Sequence, residues 1–484
     1  MKDKKKIYRK RIISIVILAA VLIVGGYFLG YALTPPNFNM HIAHELKQIE
    51  EGSGKIDMMF VGASRVYHSF IPTIFEEKLG YEEVYNFGAA NAPYSATYYQ
   101  LKNMAERYHP SRVVIGVTLD ELVDEEWLRG KMVIWDRLNL KGKLEFLFGG
   151  LGFQNWKYTI NAYRFRDEID NISYNLSERA KLEETDYAPN YDGGYHYGGS
   201  GFVSGDTGCE TGTIAIDGAR EFSTDAINQT ALSYLDKCIA YCQEQGIDVI
   251  LVTPPTSMMR MYNMTNYQGV IDFYTEYAAQ KGVDYYDLNL LQNREEILPD
   301  EAMYDYNHVN AKGAEVVSEL LAEIILKTDA GEDVSGYFYQ DLEEMKADVH
   351  RIPAVGCSKI WSDETEEADD LQKDFETVHL DLMSFHNEDV IPEYQIEILY
   401  SGEEEYELLI PWTTEEMVEI QVPKQPTKDQ SEENHDFMIK IRARIDSNDT
   451  SEAVRYFNNW TIWEGYDIAS TAEEEAAGAN GILF

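Results

Sequence analysis

The chain has 484 residues, more than one ordinary domain accommodates. With 44% hydrophobic and 12% aromatic side chains, it is too rich in core-forming residues to be disordered. Its formal net charge of −43 argues against nucleic acid as a partner, because neutralising phosphates requires clustered Lys and Arg.

Residues 1–11 (MKDKKKIYRKR) carry seven basic side chains against one Asp. Ile12 to Leu33 then runs 22 residues without a charge, and a membrane-spanning helix needs about 20. Basic flanks stay in the cytoplasm, so the expected topology is a cytoplasmic N-terminus, a transmembrane helix over 12–33 and an extracytoplasmic remainder. A secretory signal peptide has a shorter apolar core, about 7–15 residues, and ends at a small-residue cleavage site. This run ends in Tyr-Ala-Leu-Thr-Pro-Pro, which fits an uncleaved anchor better. Residues 34–54 read as a stalk containing a short amphipathic helix.

From residue 55 a rhythm of strands and helices begins. Expected strands are Ile56–Val61, Val84–Phe87, Arg112–Thr118, Asp248–Thr253 and Asp284–Leu288. Between and after them Pro72–Leu79, Ser95–Tyr108, Thr224–Gln245, Tyr267–Lys281 and Lys312–Lys327 read as helices. Short apolar strands alternating with helices of ten or so residues mark βαβ units, hence a three-layer α/β/α domain over 55–330 with a parallel sheet. Ligands of such sheets lie beyond the carboxyl ends of the strands. Gly62-Ala63-Ser64, Gly88 and Thr253-Pro254-Pro255 all fall there.

The rhythm breaks over 121–223, an insertion holding Trp127, Trp135, Trp156 and the glycine- and tyrosine-rich run Asp192–Gly201. An irregular segment this long inside a domain is often functional. Tyr and Trp of the insertion, Tyr195 among them, suit stacking against sugar rings, with His196 a candidate substrate contact, and the same aromatics equally suit a lid packed on itself. Four cysteines occur, at 209, 238, 242 and 357. Cys238 and Cys242 lie one helical turn apart without further ligands at metal spacing, so small buried residues are the better reading; disulfide pairing stays open. Over 331–470 the runs Val378–Met383, Tyr394–Tyr400, Tyr406–Ile410, Val418–Val422 and Phe437–Ile445 alternate apolar and polar residues, as in a small antiparallel β-sandwich. Such a unit serves as spacer, protein contact or polysaccharide binder. Residues 471–484 read as a loosely ordered tail.

Ser64, in Val61-Gly-Ala-Ser-Arg-Val-Tyr67, stands at the first strand-to-helix turn. There its hydroxyl reaches the sheet rim and its N–H lies near a helix start, where negative charge is favoured. Nucleophilic attack on a carbonyl needs both features, although an ordinary N-cap serine has the same local sequence. At the other end of the α/β region, Asp305 and His308 sit three apart in Met303–Gly313, just before the last helix. A carboxylate can orient the imidazole of its own loop, and that imidazole can take a proton from a serine on another strand.

GASR at Gly62–Arg65, NFG at Asn86–Gly88 and DYNHVNAKG at Asp305–Gly313 resemble blocks I, II and V of the SGNH (GDSL-like) hydrolases, over about Lys55 to Lys327. The spread also resembles the DltD-like and alginate-acetylation-like membrane-tethered branches. The resemblance implies a triad of Ser64, His308 and Asp305, with backbone N–H groups of Ser64 and Gly88 at the oxyanion. It implies serine-dependent acyl transfer, O-acetyl above all, or ester hydrolysis on a cell-envelope polysaccharide or teichoic-acid-like polymer, with a carbohydrate or lipid esterase as the alternative. A membrane-bound acyltransferase partner follows for the transfer case; no cofactor or metal does. Block III of the family, Gly-x-Asn-Asp, is absent: the third strand ends Gly116-Val-Thr-Leu-Asp120, so either Asn91 or Thr118 replaces the missing Asn or the enzyme works with two donors. Losing one oxyanion donor costs roughly 10²–10³ in rate, which also leaves a degenerate scaffold as a competing reading. Arg65 would bind an anionic substrate or pin the block I turn. His68, one turn after Ser64, reads as a surface histidine or a substitute base.

Overall fold

The computed structural model describes residues 2–36, 46–47, 49–125, 127–183, 190–191, 195–205, 222–263, 266–362, 375–387, 389–425, 436–448 and 452–467. Most of the stalk, Cys209 and the tail 471–484 lie outside the described residues. A continuous helix, Lys2–Leu33, opens the chain. Among the described residues its segment Arg11–Leu33 is the one stretch long and apolar enough to cross a membrane.

Five parallel strands form the central sheet: β1 (Met58–Val61), β2 (Val84–Asn86), β3 (Arg112–Gly116), and, after an insertion with strands β4 (Asn190–Tyr191), β5 (Tyr195–Gly199) and β6 (Phe202–Gly205), β7 (Asp248–Thr253) and β8 (Asp284–Asp287). Their order is β2-β1-β3-β7-β8. The chain steps from β1 outward to β2, then returns past β1 to β3, so the order reverses beside β1. In open parallel sheets the crevice at that reversal is where ligands bind. Pairing carries Val61 opposite Ile115 and Gly116 opposite Val252, which aligns the carboxyl ends of the three middle strands.

Alternate side chains leave opposite faces. Met59, Val61, Val113, Ile115, Val249 and Leu251 join the core beneath helices Tyr94–Tyr108, Gln229–Gln245 and Tyr267–Lys281. Met58, Phe60, Val114, Ile250 and Val252 join the other core, beneath Ser64–Ser69, Pro72–Leu79 and Ala311–Asp329. Phe60 stacks on Phe70 at 4.9 Å and meets Phe75 edge-on at 4.8 Å. The result is the three-layer α/β/α arrangement expected from the alternation.

The insertion differs from the irregular segment expected. It is largely helical, with Leu128–Arg137, Leu140–Phe148, Phe153–Thr159, Asn161–Arg164, Arg166–Asn171 and Ile172–Glu183 in succession. These elements are short, and several carry their apolar side chains outward, which hides the helical period. β4, β5 and β6 form a small antiparallel sheet, and Ser200 O accepts from Asn86 N at 2.8 Å on the edge strand of the main sheet.

Two four-stranded antiparallel sheets follow. Their strands are β9 (Ala354–Ser362), β10 (Phe375–Phe385), β11 (Glu393–Tyr400), β12 (Glu407–Thr413), β13 (Met417–Pro423), β14 (Phe437–Arg444), β15 (Ala453–Asn458) and β16 (Tyr466–Asp467). The orders are β13-β10-β9-β16 and β12-β11-β14-β15, around one shared apolar core. Residues just after 330 do not belong to it: Tyr339, Met345 and Val349 pack into the α/β core, so that core extends past the boundary expected at 330.

Cys238 and Cys242 are buried free thiols, and Cys357 is buried in the core of the two antiparallel sheets. Burial pushes Cys242 up to about 12 and Cys238 well above the ordinary thiol range. The thiolate is the reactive form. A maleimide applied to the folded protein is therefore expected to leave all three unmodified on peptide mapping and to reach them in guanidinium chloride. Rapid native labelling of Cys238 or Cys242 would contradict the packing.

Candidate active site

Ser64 is the first residue of helix Ser64–Ser69, directly after β1 and the Gly62-Ala63 turn. Gly62 has φ +146°, and a Cβ there would come within 2.7 Å of Val66 Cγ2, so the turn that lifts Ser64 to the rim admits only glycine. As the first helical residue, Ser64 has an N–H without an intrahelical acceptor.

The loop before helix Ala311–Asp329 meets this serine. His308 Nε2 lies 2.8 Å from Ser64 Oγ, and His308 Nδ1 lies 2.8 and 2.9 Å from the two Asp305 carboxylate oxygens. A carboxylate accepts, so Nδ1 carries the proton and Nε2 presents a lone pair to the Ser64 hydroxyl. Asp305 Oδ1 also accepts from the backbone N–H groups of Asn307 (2.7 Å) and His308 (2.9 Å). Burial alone would raise the Asp305 carboxyl. The hydrogen bond and charge of His308, with those two N–H groups, outweigh it and hold the group below the usual carboxylate range. Asn310 closes the loop by capping the next helix: its Oδ1 accepts from Gly313 N at 3.1 Å, and its Nδ2 donates to Glu301 O at 2.6 Å.

Two of the expected oxyanion donors are engaged elsewhere. Gly88 sits against Ala63 and Tyr67, but its N–H donates to Asn86 Oδ1 at 3.0 Å. The Asn86 amide is buried and oriented for this by donating to Val66 O and Phe70 O, both at 2.9 Å. The Thr118 hydroxyl donates to the Glu121 carboxylate, and its carbonyl accepts from Tyr274. Asn91 is placed differently. It is exposed, has φ +50°, a region Asn tolerates better than most residues, and lines the same cleft as Ser64.

That cleft, of ≈ 160 Å³, is lined by Ala63, Ser64, Arg65, Asn91, Asp120, Glu121, Trp127, Arg260, Tyr306 and Asn307. Arg65 is nearly buried and ion-paired to Asp120, whose other oxygen takes Arg260 at 3.3 Å. Arg65 thus ties the turn after β1 to the helix after β3, and it also lines the cleft. Asp120 lies in the first turn of the short helix Leu119–Val123 that follows β3. Arg260 and Tyr306 were not foreseen, and Trp127 was singled out only as one of the insertion's aromatics. Arg260 follows Thr253-Pro-Pro at a strand end, and that rim position was the available signal. Arg137 was missed as well: buried, it donates to Phe87 O (2.6 Å) and Gly88 O (2.8 Å), fixing the loop after β2.

His68 is neither a surface residue nor placed as a base. It is 3% exposed, its Nδ1 donates to Val203 O on β6 at 2.7 Å, and its ring lies 4.6 Å from that of His308. Tyr195 and His196 belong to β5 by backbone; their side chains lie outside the described residues. Among the described residues no group of three or more His, Cys, Asp or Glu is arranged to hold a metal ion.

No protein-family model matches the chain, and no curated protein matches it. Among solved structures, a GDSL-like lipase from Bacteroides thetaiotaomicron aligns at 9% identity and TM-score 0.30, covering 59% of this chain and 98% of that one. A proposed acylhydrolase from Bacteroides fragilis aligns at 12% identity and TM-score 0.30, covering 60% and 97%. At such scores the likeness adds nothing to the geometry above.

Burial, then the neighbouring His308, drives the His68 pKa well below its ordinary value, so His68 is neutral in the folded protein. Unfolded histidine takes up a proton below about pH 6.5. The stability owed to neutral His68 is complete above that pH and declines as pH falls toward the depressed folded value. Urea midpoints measured from pH 7.5 to 5 should fall, and His68→Gln should fall less. The difference between the two slopes approaches about 1.4 kcal/mol per pH unit. Parallel pH profiles would contradict a buried neutral His68.

Proposed function

We propose that the chain is a membrane-anchored serine acyl-transfer enzyme of the SGNH type, breaking and making small-acyl esters on a cell-envelope glycopolymer outside the cytoplasmic membrane. The observation that carries this reading is the unbroken hydrogen-bonded line from Asp305 through His308 to Ser64. The chemistry follows from it. Ser64 Oγ attacks the ester carbonyl carbon as its proton passes to His308 Nε2, and Asp305 stabilises the imidazolium that forms. Negative charge gathers on the carbonyl oxygen, toward the Ser64 N–H and Asn91. His308 then returns the proton to the departing alkoxide, leaving an acyl group on Ser64. A second hydroxyl gives its proton to His308 and attacks that acyl carbon, which frees Ser64 and completes the cycle.

The cleft supports a short acyl group. Its lining of Arg65, Asp120, Glu121, Arg260 and Asn307 offers no apolar channel for a fatty chain, whose burial would need one. The same polarity favours an acceptor rich in hydroxyls or charge, hence a sugar polymer over a lipid. Transfer and hydrolysis share every step up to the acyl-enzyme and differ only in whether a sugar hydroxyl or water arrives second. The apolar segment Arg11–Leu33 supports tethering, with the basic residues 2–11 cytoplasmic. In the transfer case the acyl group would come from a membrane-bound acyltransferase partner.

Release of p-nitrophenol from its acetate tests the acylation step. Ser64→Ala should abolish both turnover and labelling by a fluorophosphonate probe. His308→Ala should lower kcat by roughly 10⁶, and Asp305→Asn by about 10⁴ through the wrong imidazole tautomer. Turnover unchanged in Ser64→Ala would refute the assignment. Incubating an acetyl donor with an unacetylated glycan and weighing the products separates transfer from hydrolysis.

A further inference from the structure

The folded part of the protein grips the end of its apolar N-terminal helix. The last carbonyls of any helix lack intrahelical partners. Here Arg179 donates to Tyr31 O (2.7 Å) and Thr34 O (2.5 Å), and Asn175 donates to Leu33 O (3.1 Å). Both side chains are buried and both come from the insertion helix Ile172–Glu183. The Arg179 guanidinium also lies 4.1 Å over the Tyr31 ring. At Gly30 the helix touches the insertion backbone so closely that a Cβ would lie 3.0 Å from Ala162 N and 3.1 Å from Asn161 Cβ. The insertion is therefore seated where the candidate span ends.

Next to this seat the insertion exposes an apolar ridge. Leu140, Leu144 and Phe148 recur every four residues on the outer face of helix Leu140–Phe148, whose inner residue Phe146 is fully buried. Phe148 stacks on Phe153 with centroids 5.8 Å apart and planes 3° from parallel. Phe153, Trp156 and Ile160 continue the stripe along the following turns. All six are between 44% and 76% exposed. Ile160 directly precedes Asn161, the residue against Gly30, so the stripe ends beside the apolar helix. The next segment, Arg166–Asn171, surrounds its exposed Ile169 with Asp167, Glu168 and Asp170 and is not part of it.

We propose that this ridge lies in the interfacial layer of the same bilayer that helix Arg11–Leu33 enters, so that the protein has a second, monotopic membrane contact. An apolar stripe of this size marks an interaction surface. Its continuity with the span selects lipid as the occupant. Its mix of aliphatic side chains with Phe and Trp is the composition of segments lying at the headgroup boundary. With span and ridge both in lipid, rotation of the α/β domain about the span is blocked and the Ser64 cleft keeps one orientation to the membrane surface.

The test uses the full-length protein in phosphatidylcholine–phosphatidylglycerol vesicles, in a Cys209→Ser background. Nitroxide is attached singly at Phe148→Cys, Trp156→Cys, Val21→Cys in the span, and Ile391→Cys, an exposed residue of the β-sandwich. Collisions with oxygen, which concentrates in lipid, are compared with collisions with a water-soluble nickel chelate. The expected oxygen-to-nickel ratio at 148 and 156 is several-fold above that at 391 and approaches that at 21. A ratio at 148 and 156 equal to that at 391, with 21 in lipid, overturns the proposal and leaves the span intact. Shielding of 148 and 156 from both reagents also overturns it, and spin–spin broadening that grows with protein density would then identify a second copy as the cover. An aqueous label at 21 removes span and ridge together. None of these outcomes bears on esterase turnover, which Ser64→Ala tests separately.

Discussion

The contact between Ser64 and His308 depends on how the last helix of the α/β unit seats against the first. These residues are 244 positions apart, and a gap of one ångström would break the proton path. Helix Ala311–Asp329 packs on Ser64–Ser69 and Pro72–Leu79, with Val317, Leu321 and Ile325 fully buried in the shared core. Ser318, also fully buried, makes the seat specific. Its hydroxyl accepts from Ile71 N at 2.9 Å and donates to Ser69 O at 3.2 Å, occupying the backbone groups exposed where the two short helices meet. Asn310 sets the start of the same helix, so imidazole position is fixed from both directions.

Burial of polar groups around this seat makes the arrangement all-or-none. Asn86 and Arg137 each satisfy two backbone carbonyls near the serine, and each is almost completely buried. Removing either side chain would strand carbonyls away from water, at roughly 1–3 kcal/mol for each group left unpaired. Such costs explain why the Gly88 N–H is held by Asn86. The bond belongs to the scaffold that orders the loop after β2, while Asn91 lines the cleft beside Ser64.

Much of the fold was legible because it is written locally. A strand buried on both faces needs an apolar run, and Asp248–Thr253 reads correctly to the residue; helices Pro72–Leu79 and Tyr267–Lys281 do so from their period. Ser64, Asp305 and His308 could be named for the same reason, since a strand-end turn and a helix entry are local features. β9 went unrecognised because its first four residues are all buried, one end facing the α/β core, so no period of two exists to be seen. Partners such as Arg260 with Asp120, Arg137 with Gly88 and His68 with Val203 are set by tertiary packing across 49 to 140 positions, and nothing in either local sequence announces them.

The insertion shows what those long-range pairings accomplish together. It uses one device at both ends: a buried guanidinium donating to two backbone carbonyls of a segment it does not belong to. Arg137 clamps Phe87 and Gly88 beside the serine; Arg179 clamps Tyr31 and Thr34 at the end of the apolar helix. A buried cation released from its acceptors costs several kcal/mol, so neither clamp opens readily. A lid needs the reverse, a segment of few buried contacts whose opening is cheap. The described helices of the insertion therefore act as a strut between the apolar N-terminal helix and the candidate site. Only three residues separate Arg137 from Lys141 in the ridge-bearing helix, so a force on that helix reaches the loop after β2 through a short, packed path. On the function proposed above, with a substrate polymer fixed at an envelope surface, such a strut holds the cleft at a set height and angle, and access is then governed by how the substrate chain approaches.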